Sequence, residues 1–152
     1  AGRGCRSPGS RGREHLSVAF RFMLDTNIVS DLMRDPRGAV ASRLALVGEA
    51  AVCTSVVVAA ELRYGAEKAG SAILYDRVEL ILSALEVMPL ESPVDRYYGR
   101  VRNELASRGT PIGPNDMLIA AHALAIGTTL VTANLREFER VAGLTVENWL
   151  PP

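Results

Sequence analysis

Short apolar segments alternate with longer segments of helical periodicity along almost the whole chain. Residues 20–24 and 51–54 are short and largely apolar, as buried strands are. The segments between such stretches are long enough for helices, and strands that are joined by helices pair in parallel. We therefore predict an α/β fold with a central parallel sheet of about four to five strands and helices on both faces.

The element boundaries are predicted from apolar periodicity and from residues that begin or end helices. Pro36 interrupts one helical segment, Ser55 is placed to cap a long helix, and Gly109 and Gly127 end two others. The predicted strands are 20–24, 51–54, 86–88, 129–132 and 145–149; the predicted helices are 26–34, 37–47, 56–69, 72–85, 93–108 and one that begins at Asn115 or Asp116 and ends at Ile126.

Three acidic residues, Asp25, Glu61 and Asp116, lie where a predicted strand or loop gives way to a helix. The carboxyl ends of parallel strands meet at one edge of a sheet, so we expect the three carboxylates to lie close together. They would repel one another unless a cation lay between them, and ligands that are all oxygen suit Mg²⁺ or Mn²⁺. The sequence therefore predicts metal-assisted hydrolysis of a phosphodiester.

Each acid also has an ordinary structural explanation. Asp25 and Asp116 are well placed to cap helices, and Glu61 could lie on an exposed helix face. However, Asp116 begins an almost wholly apolar helix that must be buried, and a carboxylate among residues such as Val58 is costly to bury unless it is paired or binds metal. The three acids together are less easily explained as helix caps.

Smaller polar residues accompany these acids. Thr26 and Asn27 follow Asp25, and Thr132 and Asn134 follow the predicted strand T-T-L-V-T. Short polar side chains at strand ends can orient water or support a second ion, although Thr and Asn are also ordinary turn and cap residues. We predict that these four residues support the acidic site.

Four blocks stand in one order between about Phe20 and Leu150: F-M-L-D-T-N, S-V-V-V-A-A-E-L-R-Y-G-A-E-K, P-I-G-P-N-D-M-L-I-A-A-H-A and L-V-T-A-N-L-R-E-F-E-R-V-A-G-L-T-V-E-N-W. Together they resemble the PIN-domain ribonuclease toxins of the VapC type, and within that family the enteric branch. The resemblance implies the toxin component of a type II toxin–antitoxin system, a Mg²⁺- or Mn²⁺-dependent endoribonuclease that a VapB antitoxin neutralises. It further implies that the RNA is tRNA cut in the anticodon stem-loop, with initiator tRNA favoured.

The resemblance also implies roles for single residues. Asp25, Glu61 and Asp116 match the first, second and third family acids; Asp25 and Asp116 would bind the metal ion directly and Glu61 would assist. The fourth family position is often acidic, but Asn134 stands there, which would weaken any second metal site. The same likeness implies operator-DNA contact only through the antitoxin and a homodimer. The longest uncharged stretch, residues 50–60, is too short to span a membrane and a buried free thiol suits a reducing cytosol, so we predict no membrane association and a cytoplasmic location.

Recognition of RNA would need basic and aromatic side chains elsewhere on the surface. Arginines can contact phosphates and tyrosines can stack on unpaired bases, although the same residues could be solvated helix faces or contacts to a partner. The candidates are Arg34, Arg63, Arg100, Arg102, Arg136 and Arg140, with Tyr64, Tyr97 and Tyr98. A metal-independent ribonuclease would use paired histidines, but His122 lies in an apolar helix and is predicted to be a core or interface residue.

The charge of the chain is unevenly distributed although it holds 17 basic and 17 acidic residues. Residues 1–17 contain four arginines and one glutamate and are net +3, which leaves residues 18–152 at −3. The first segment shows no hydrophobic period and is predicted to be a disordered tail or a non-native extension, with a basic RNA-gripping arm as the alternative. Residues 18–152 are predicted to form the PIN domain, with Cys53 as a buried free thiol.

Two other functions remain open from the sequence. A phosphotransferase with an aspartyl nucleophile would carry a second Asp two residues after Asp25, where this chain has Asn27, and a downstream lysine, whereas Lys68 is the only lysine. A degenerate PIN-like binding module without nuclease activity is the second alternative. Retention of all three acids argues against that module.

Overall fold

The computed structural model describes residues 19–152, in which a five-stranded parallel sheet is flanked by seven α-helices. The strands are β1 (Phe22–Leu24), β2 (Val52–Ser55), β3 (Glu86–Met88), β4 (Thr129–Val131) and β5 (Val146–Glu147). The helices are α1 (Thr26–Arg34), α2 (Ala39–Val47), α3 (Val56–Ala69), α4 (Ala72–Ala84), α5 (Val94–Ser107), α6 (Pro114–Ile126) and α7 (Leu135–Phe138). The predicted α/β class and parallel sheet are confirmed, while the predicted tail at residues 1–17 lies outside the described residues.

The strand order across the sheet is β3-β2-β1-β4-β5, and every neighbouring pair is parallel. The chain builds the sheet outward from β1 to β3 and then returns to the other side of β1 to add β4 and β5. The connections after β1 and β4 therefore run in opposite directions from adjacent strands. In open α/β sheets, ligands bind outside the carboxyl ends of strands at such a point.

The core lies on both sides of the inner strands. The side chains of Met23, Leu24, Cys53 and Leu130 are fully buried, as expected for parallel strands that are covered on both faces. Full burial of a side chain such as Leu24 contributes about 1.5–3 kcal/mol. Cys53 is a free, buried thiol as predicted, and burial raises its pKa to about 12.

The helices form two packed groups, with α1, α3 and α4 in contact with one another and α5 lying along α6. Within residues 19–152, no helix combines the length and the apolar content that crossing a bilayer requires.

The predicted boundaries agree closely with the structure. The helices at 26–34 and 56–69 and the strand at 86–88 are confirmed residue for residue, and the other elements differ by one or two residues at either end. The last long helix begins at Pro114 rather than at Asn115 or Asp116, because proline needs no hydrogen-bond acceptor at the first helical position. The short helix α7 was not predicted, since four residues are too few to show a period.

Ser55 links the end of β2, the start of α3 and the middle of α6. Its Oγ accepts a hydrogen bond from the Val57 N–H at 3.1 Å and lies 2.8 Å from Nδ1 of His122. Both side chains are buried, which confirms the prediction that His122 is a core residue. Burial lowers the pKa of His122 and favours the neutral ring, whose Nδ1 can accept the Ser55 hydroxyl proton.

We expect Ser55→Ala to lower the free energy of unfolding by about 1–3 kcal/mol, because it removes the cap of α3 and leaves Nδ1 of His122 buried without a partner. Equilibrium urea denaturation measures the change. Ser83→Ala is the matched control: the Ser83 hydroxyl is exposed and bonds only the Leu80 carbonyl, so its effect should stay within about 0.5 kcal/mol. Equal losses in the two variants would contradict the role of Ser55.

Candidate metal-dependent active site

Asp25 is the most buried carboxylate of the site, with 4% of its surface exposed. It directly follows β1, and its N–H donates to the Val131 carbonyl at 2.9 Å, which ties it to β4. Its Oδ1 accepts from the Thr26 N–H at 2.8 Å, and its Oδ2 accepts from the Thr132 hydroxyl at 2.8 Å and the Asn27 amide at 3.4 Å. The side chain therefore has one fixed orientation.

The charge of Asp25 is only partly compensated. Burial raises the pKa of Asp25, and the hydrogen bonds from Thr132, Thr26 and Asn27 oppose that rise without cancelling it. Asp25 does cap α1, so the capping explanation for this residue is correct. A cap does not require such deep burial, however, and a carboxylate in this position gains most from a nearby cation.

Glu61 extends from α3 toward the same edge of the sheet and is half-buried. Burial raises the pKa of Glu61, the charge of Asp25 raises it further, and the nearby Thr26 hydroxyl opposes both. Within the described residues, Oε1 of Glu61 and Oγ1 of Thr26 are buried without a partner in hydrogen-bonding geometry. A cation or an ordered water bound between these two oxygens would satisfy both.

Asp116 completes the predicted set from the first turn of α6. Burial raises the pKa of Asp116 to about 6, and Asp25, Glu61 and Glu137 add to the rise, the last through both its charge and a hydrogen bond. The positive end of the α6 dipole favours a carboxylate here, so burial together with the charges of the other acids outweighs the helix terminus. All three predicted acids are thus brought together.

The fourth acid of the cluster is Glu137, which was not among the predicted site residues. It lies on α7 near Asp116, whose pKa it raises by its charge and, while Asp116 is protonated, by a hydrogen bond; its Oε2 accepts from the Asn134 amide at 2.9 Å. Asn134, at the fourth family position, thus uses its amide nitrogen to hold a neighbouring acid. The spacing of Asn134 and Glu137 by three residues after a strand was the available signal.

The supporting polar residues connect the loops after β1 and β4. Besides holding Asp25, the Thr132 oxygen accepts from the Asn134 N–H at 3.0 Å. Asn27 in turn accepts from the Ala133 N–H at 2.9 Å. All four predicted supporting residues therefore touch the acids or hold the loops that carry them.

The donor set fits a hard divalent cation. Within residues 19–152, no three His, Cys, Asp or Glu side chains already converge as a finished set of ligands. Mg²⁺ does not require such a set, because it keeps several waters and commonly uses one or two carboxylates. Oxygen-only donors, raised carboxyl pKa values and the orphaned Oε1 of Glu61 agree with that mode of binding.

The predicted RNA-binding residues are not all near the acids. Arg63 bonds Glu79 at 2.9 and 3.2 Å on the surface between α3 and α4. The Arg102 guanidinium donates to the Tyr98 hydroxyl at 3.2 Å, and the Arg100 guanidinium lies 4.8 Å from the centre of the Tyr97 ring. Exposed side chains nearer the site are Tyr64, in a groove that includes Glu61, and Arg136, next to Glu137 in sequence.

A parallel sheet with carboxylates gathered at the carboxyl ends of the adjacent strands β1 and β4 is typical of a class of metal-dependent nucleases. The family model for the PIN domain matches residues 22–144. The tRNA(fMet)-specific endonuclease VapC of Salmonella typhimurium is 39% identical over 134 residues, which span 86% of this chain and 98% of that protein. The chain belongs to the VapC ribonucleases of the PIN-domain family, and such nucleases generally depend on a divalent metal ion.

Solved structures of VapBC complexes have the same fold. DNA-bound VapBC from Salmonella typhimurium aligns with a TM-score of 0.78 at 39% identity, covering 86% of this chain and 98% of the other. VapBC2 from Rickettsia felis, bound to a promoter DNA fragment, aligns with a TM-score of 0.78 at 36% identity, covering 86% and 99%. The predicted family and fold are confirmed.

The raised pKa of Asp116 predicts how the metal-free protein responds to pH. The pKa is about 6 in the folded chain against an ordinary 3.8, so the folded state holds this proton more tightly and loses stability as pH rises from about 4 to 6. In chelator at pH 7, Asp116→Asn should therefore raise the melting temperature by about 2–4 °C, after allowance for solvent screening of a half-exposed group. At pH 3.5 the difference should nearly vanish.

Thermal denaturation followed by circular dichroism at the two pH values measures this effect. Asp95→Asn is the matched control, because Asp95 is an exposed acid in the first turn of α5 and does not belong to the acidic cluster. That variant should be unchanged or slightly less stable through loss of the helix-dipole interaction. A destabilised Asp116→Asn protein at pH 7 would contradict crowding among the carboxylates.

Proposed function

We propose that this protein is the toxin of a VapBC-type toxin–antitoxin pair and acts as a Mg²⁺- or Mn²⁺-dependent endoribonuclease. The observation that carries the proposal is the meeting of Asp25, Glu61 and Asp116 from three separate elements. Burial raises the pKa of Asp116 and of Glu61, and the charges of the neighbouring acids raise both further. Membership in the VapC ribonucleases supports the same activity.

The proposed substrate is tRNA, cut in the anticodon stem-loop, with initiator tRNA favoured. Support comes from the name of the Salmonella relative, a tRNA(fMet)-specific endonuclease. The domain itself carries a formal charge of −3, so attraction of RNA must be local rather than a property of the whole surface. Arg63, Arg100, Arg102 and Arg136 remain candidates for phosphate contact, and Tyr64 for contact with a base.

The proposed mechanism assigns a part to each acid. Asp25 and Asp116 would hold the metal ion, Asp25 in the orientation that Thr132 and Thr26 impose. Glu61 would use its Oε1, which has no partner, to orient the attacking water in line with the scissile phosphate. Glu137, held by the Asn134 amide, would add negative charge beside Asp116 and so strengthen the attraction for the cation. The bound cation supplies a lowered water pKa and charge neutralisation at the phosphoryl oxygens. Attack by water on the phosphorus, with the 3′ oxygen as the leaving group, would leave a 5′-phosphate and a 3′-hydroxyl.

The proposed partners follow from the solved relatives, which are VapBC complexes bound to DNA. A VapB-type antitoxin would bind and neutralise this protein, and operator DNA would be reached only through the antitoxin. We further propose that residues 18–152 form the PIN domain, that the protein forms homodimers and that it acts in the cytoplasm. A degenerate binding module is disfavoured, because all three acids are retained and supported by a hydrogen-bonded network.

Cleavage of a bacterial tRNA pool by the purified protein tests the function. With Mg²⁺ or Mn²⁺ we expect cuts in one anticodon loop, and none with chelator. Asp25→Asn and Asp116→Asn should each reduce the rate at least about 100-fold, since each removes charge at the metal site. Circular dichroism establishes that the variants are folded. Normal cleavage by either variant, or cleavage in chelator, would overturn the proposed metal site.

Glu137 gives a second, sharper test of the site. Glu137→Gln should lower the cleavage rate about 10–100-fold, because it removes a negative charge that supports the metal-binding acids, and higher metal concentration should restore part of it. Glu139→Gln is the matched control, because Glu139 is exposed two residues further along. An equal loss in both variants would assign the effect to α7 as a whole rather than to the Glu137 carboxylate.

A further inference from the structure

Two arginines, Arg108 at the end of α5 and Arg140 just after α7, are brought together although 32 positions separate them. The Arg108 guanidinium donates through Nη1 to the Arg140 carbonyl at 3.4 Å, and the Arg140 guanidinium donates through Nη1 to the Pro111 carbonyl at 3.4 Å. We call these two side chains the arginine pair. The pair ties the loop between α5 and α6 to the turn that follows α7.

The arginine pair lies beside the acidic cluster on both of the segments that it joins. After α7, the Arg140 N–H donates to the Glu137 carbonyl at 3.2 Å, so about one helical turn separates Arg140 from an acid of the cluster. Before α6, Pro111 leads to Gly113, where a Cβ would lie 3.6 Å from Oδ2 of Asp116. The pair therefore flanks the two acids on this side of the cluster.

The bonds that hold the arginine pair leave most of its charge uncompensated. A carbonyl fixes a guanidinium without neutralising it, and each guanidinium has five N–H donors, of which the bond to a carbonyl uses one. Glu104 lies 3.8 Å from Nη2 of Arg108, but both side chains are partly exposed, where ion pairs are weak. Within residues 19–152, no carboxylate forms an ion pair with Arg140, although Glu139 is exposed in the same turn.

The chemistry of the arginine pair selects an anion. Two guanidinium groups that are held in place and keep free N–H donors match the oxygens of a phosphate, which arginine commonly binds with two parallel hydrogen bonds. Neither the pair nor Pro111 offers an aromatic ring on which a base could stack. The acids next to the pair repel RNA, and the domain has a formal charge of −3, so a local cationic contact is needed to hold a polyanion there.

We propose that the arginine pair binds a backbone phosphate of the RNA, a neighbour of the scissile phosphate on the side of the acids where α7 lies. The inference rests on the proposed ribonuclease function, because the acids fix where the scissile phosphate is held. Arg108 and Arg140 touch the substrate away from the reacting atoms. They therefore set affinity and the register of the strand rather than the rate of the chemical step.

The charge of Arg140 is tested by binding without cleavage. Fluorescence anisotropy of the anticodon stem-loop RNA of initiator tRNA, in chelator and between about 50 and 200 mM salt, gives Kd and its salt dependence. We expect Arg140→Gln to raise Kd about five- to tenfold and to lower the slope of log Kd against log salt by about 0.7, the value for one phosphate of a single strand. Arg140→Lys should keep the wild-type slope.

A residue that only anchors the loop would behave differently. Arg140→Gln and Arg140→Lys would then lose equal affinity and leave the salt slope unchanged, because both remove the bond to the Pro111 carbonyl and neither removes a phosphate contact. That result would overturn the proposal. So would failure of the wild-type protein to bind the RNA at about 50 mM salt.

Arg108 is tested by both a loss and a gain of affinity. Arg108→Gln should raise Kd as Arg140→Gln does, whereas Glu104→Gln should lower Kd about twofold, because it frees Arg108 from its carboxylate partner. Misfolding cannot explain tighter binding. Arg37→Gln is the matched control, since Arg37 is exposed beyond the end of α1 that lies away from Asp25, and its Kd should equal that of wild type. Weaker binding by Glu104→Gln, or an equal loss in Arg37→Gln, overturns the proposal.

Neutral backbone positions identify the phosphate. A set of the same RNA, each member with one methylphosphonate linkage, removes the charge of one phosphate at a time. One linkage should raise the wild-type Kd about five- to tenfold, and Arg140→Gln should add no further loss on that RNA, because both changes remove the same contact. Additive losses at every linkage overturn the proposal.

Cleavage assays on the same RNAs separate this inference from the ribonuclease assignment. Coupling between Arg140 and one phosphate in Kd, with no cleavage under any metal, would contradict the ribonuclease function and retain the phosphate site. Metal-dependent cleavage with no coupling at any linkage would retain the function and eliminate the site. Where both hold, Arg140→Gln should raise KM with kcat little changed, as expected for a contact made equally in the ground and transition states.

Discussion

Repulsion among carboxylates at the carboxyl ends of the adjacent strands β1 and β4 is the constraint on which the rest of this structure depends. Asp25, Glu61, Asp116 and Glu137 come from four parts of the chain, and their charges are confined where water is limited. Hydrogen bonds to Asp25 offset only part of the cost. The fold tolerates this cluster because the fully buried inner strands supply stability elsewhere, and a bound cation would turn the repulsion into a binding site.

Topology brings the parts of the site together. The hydrogen bond from Thr132 to Asp25 joins residues that are 107 positions apart, and it forms because β4 returns to lie beside β1. Ser55 has a comparable role on the other side, since it caps α3, the helix that carries Glu61, and contacts His122 of α6. Small polar side chains at strand ends thereby set the positions of the acids.

The acids that would cleave RNA cannot also bind it, so the two tasks depend on different surfaces. The carboxylates repel phosphate in the absence of a cation, and the domain has no positive net charge to offset that repulsion. Contact with an RNA must then come from neutral surface and from a few arginines.

The sequence by itself determined the alternating architecture, the extents of α1 and α3, and the three acids Asp25, Glu61 and Asp116. Periodicity and capping are local signals, and an acid that follows the end of a strand can be recognised from the sequence alone. Glu137 was missed because α7 has four residues and no period, and the part played by Asn134 depended on which acid faced its amide. Only the tertiary structure decided these contacts and the arginine pair, since both arise where distant segments pack together.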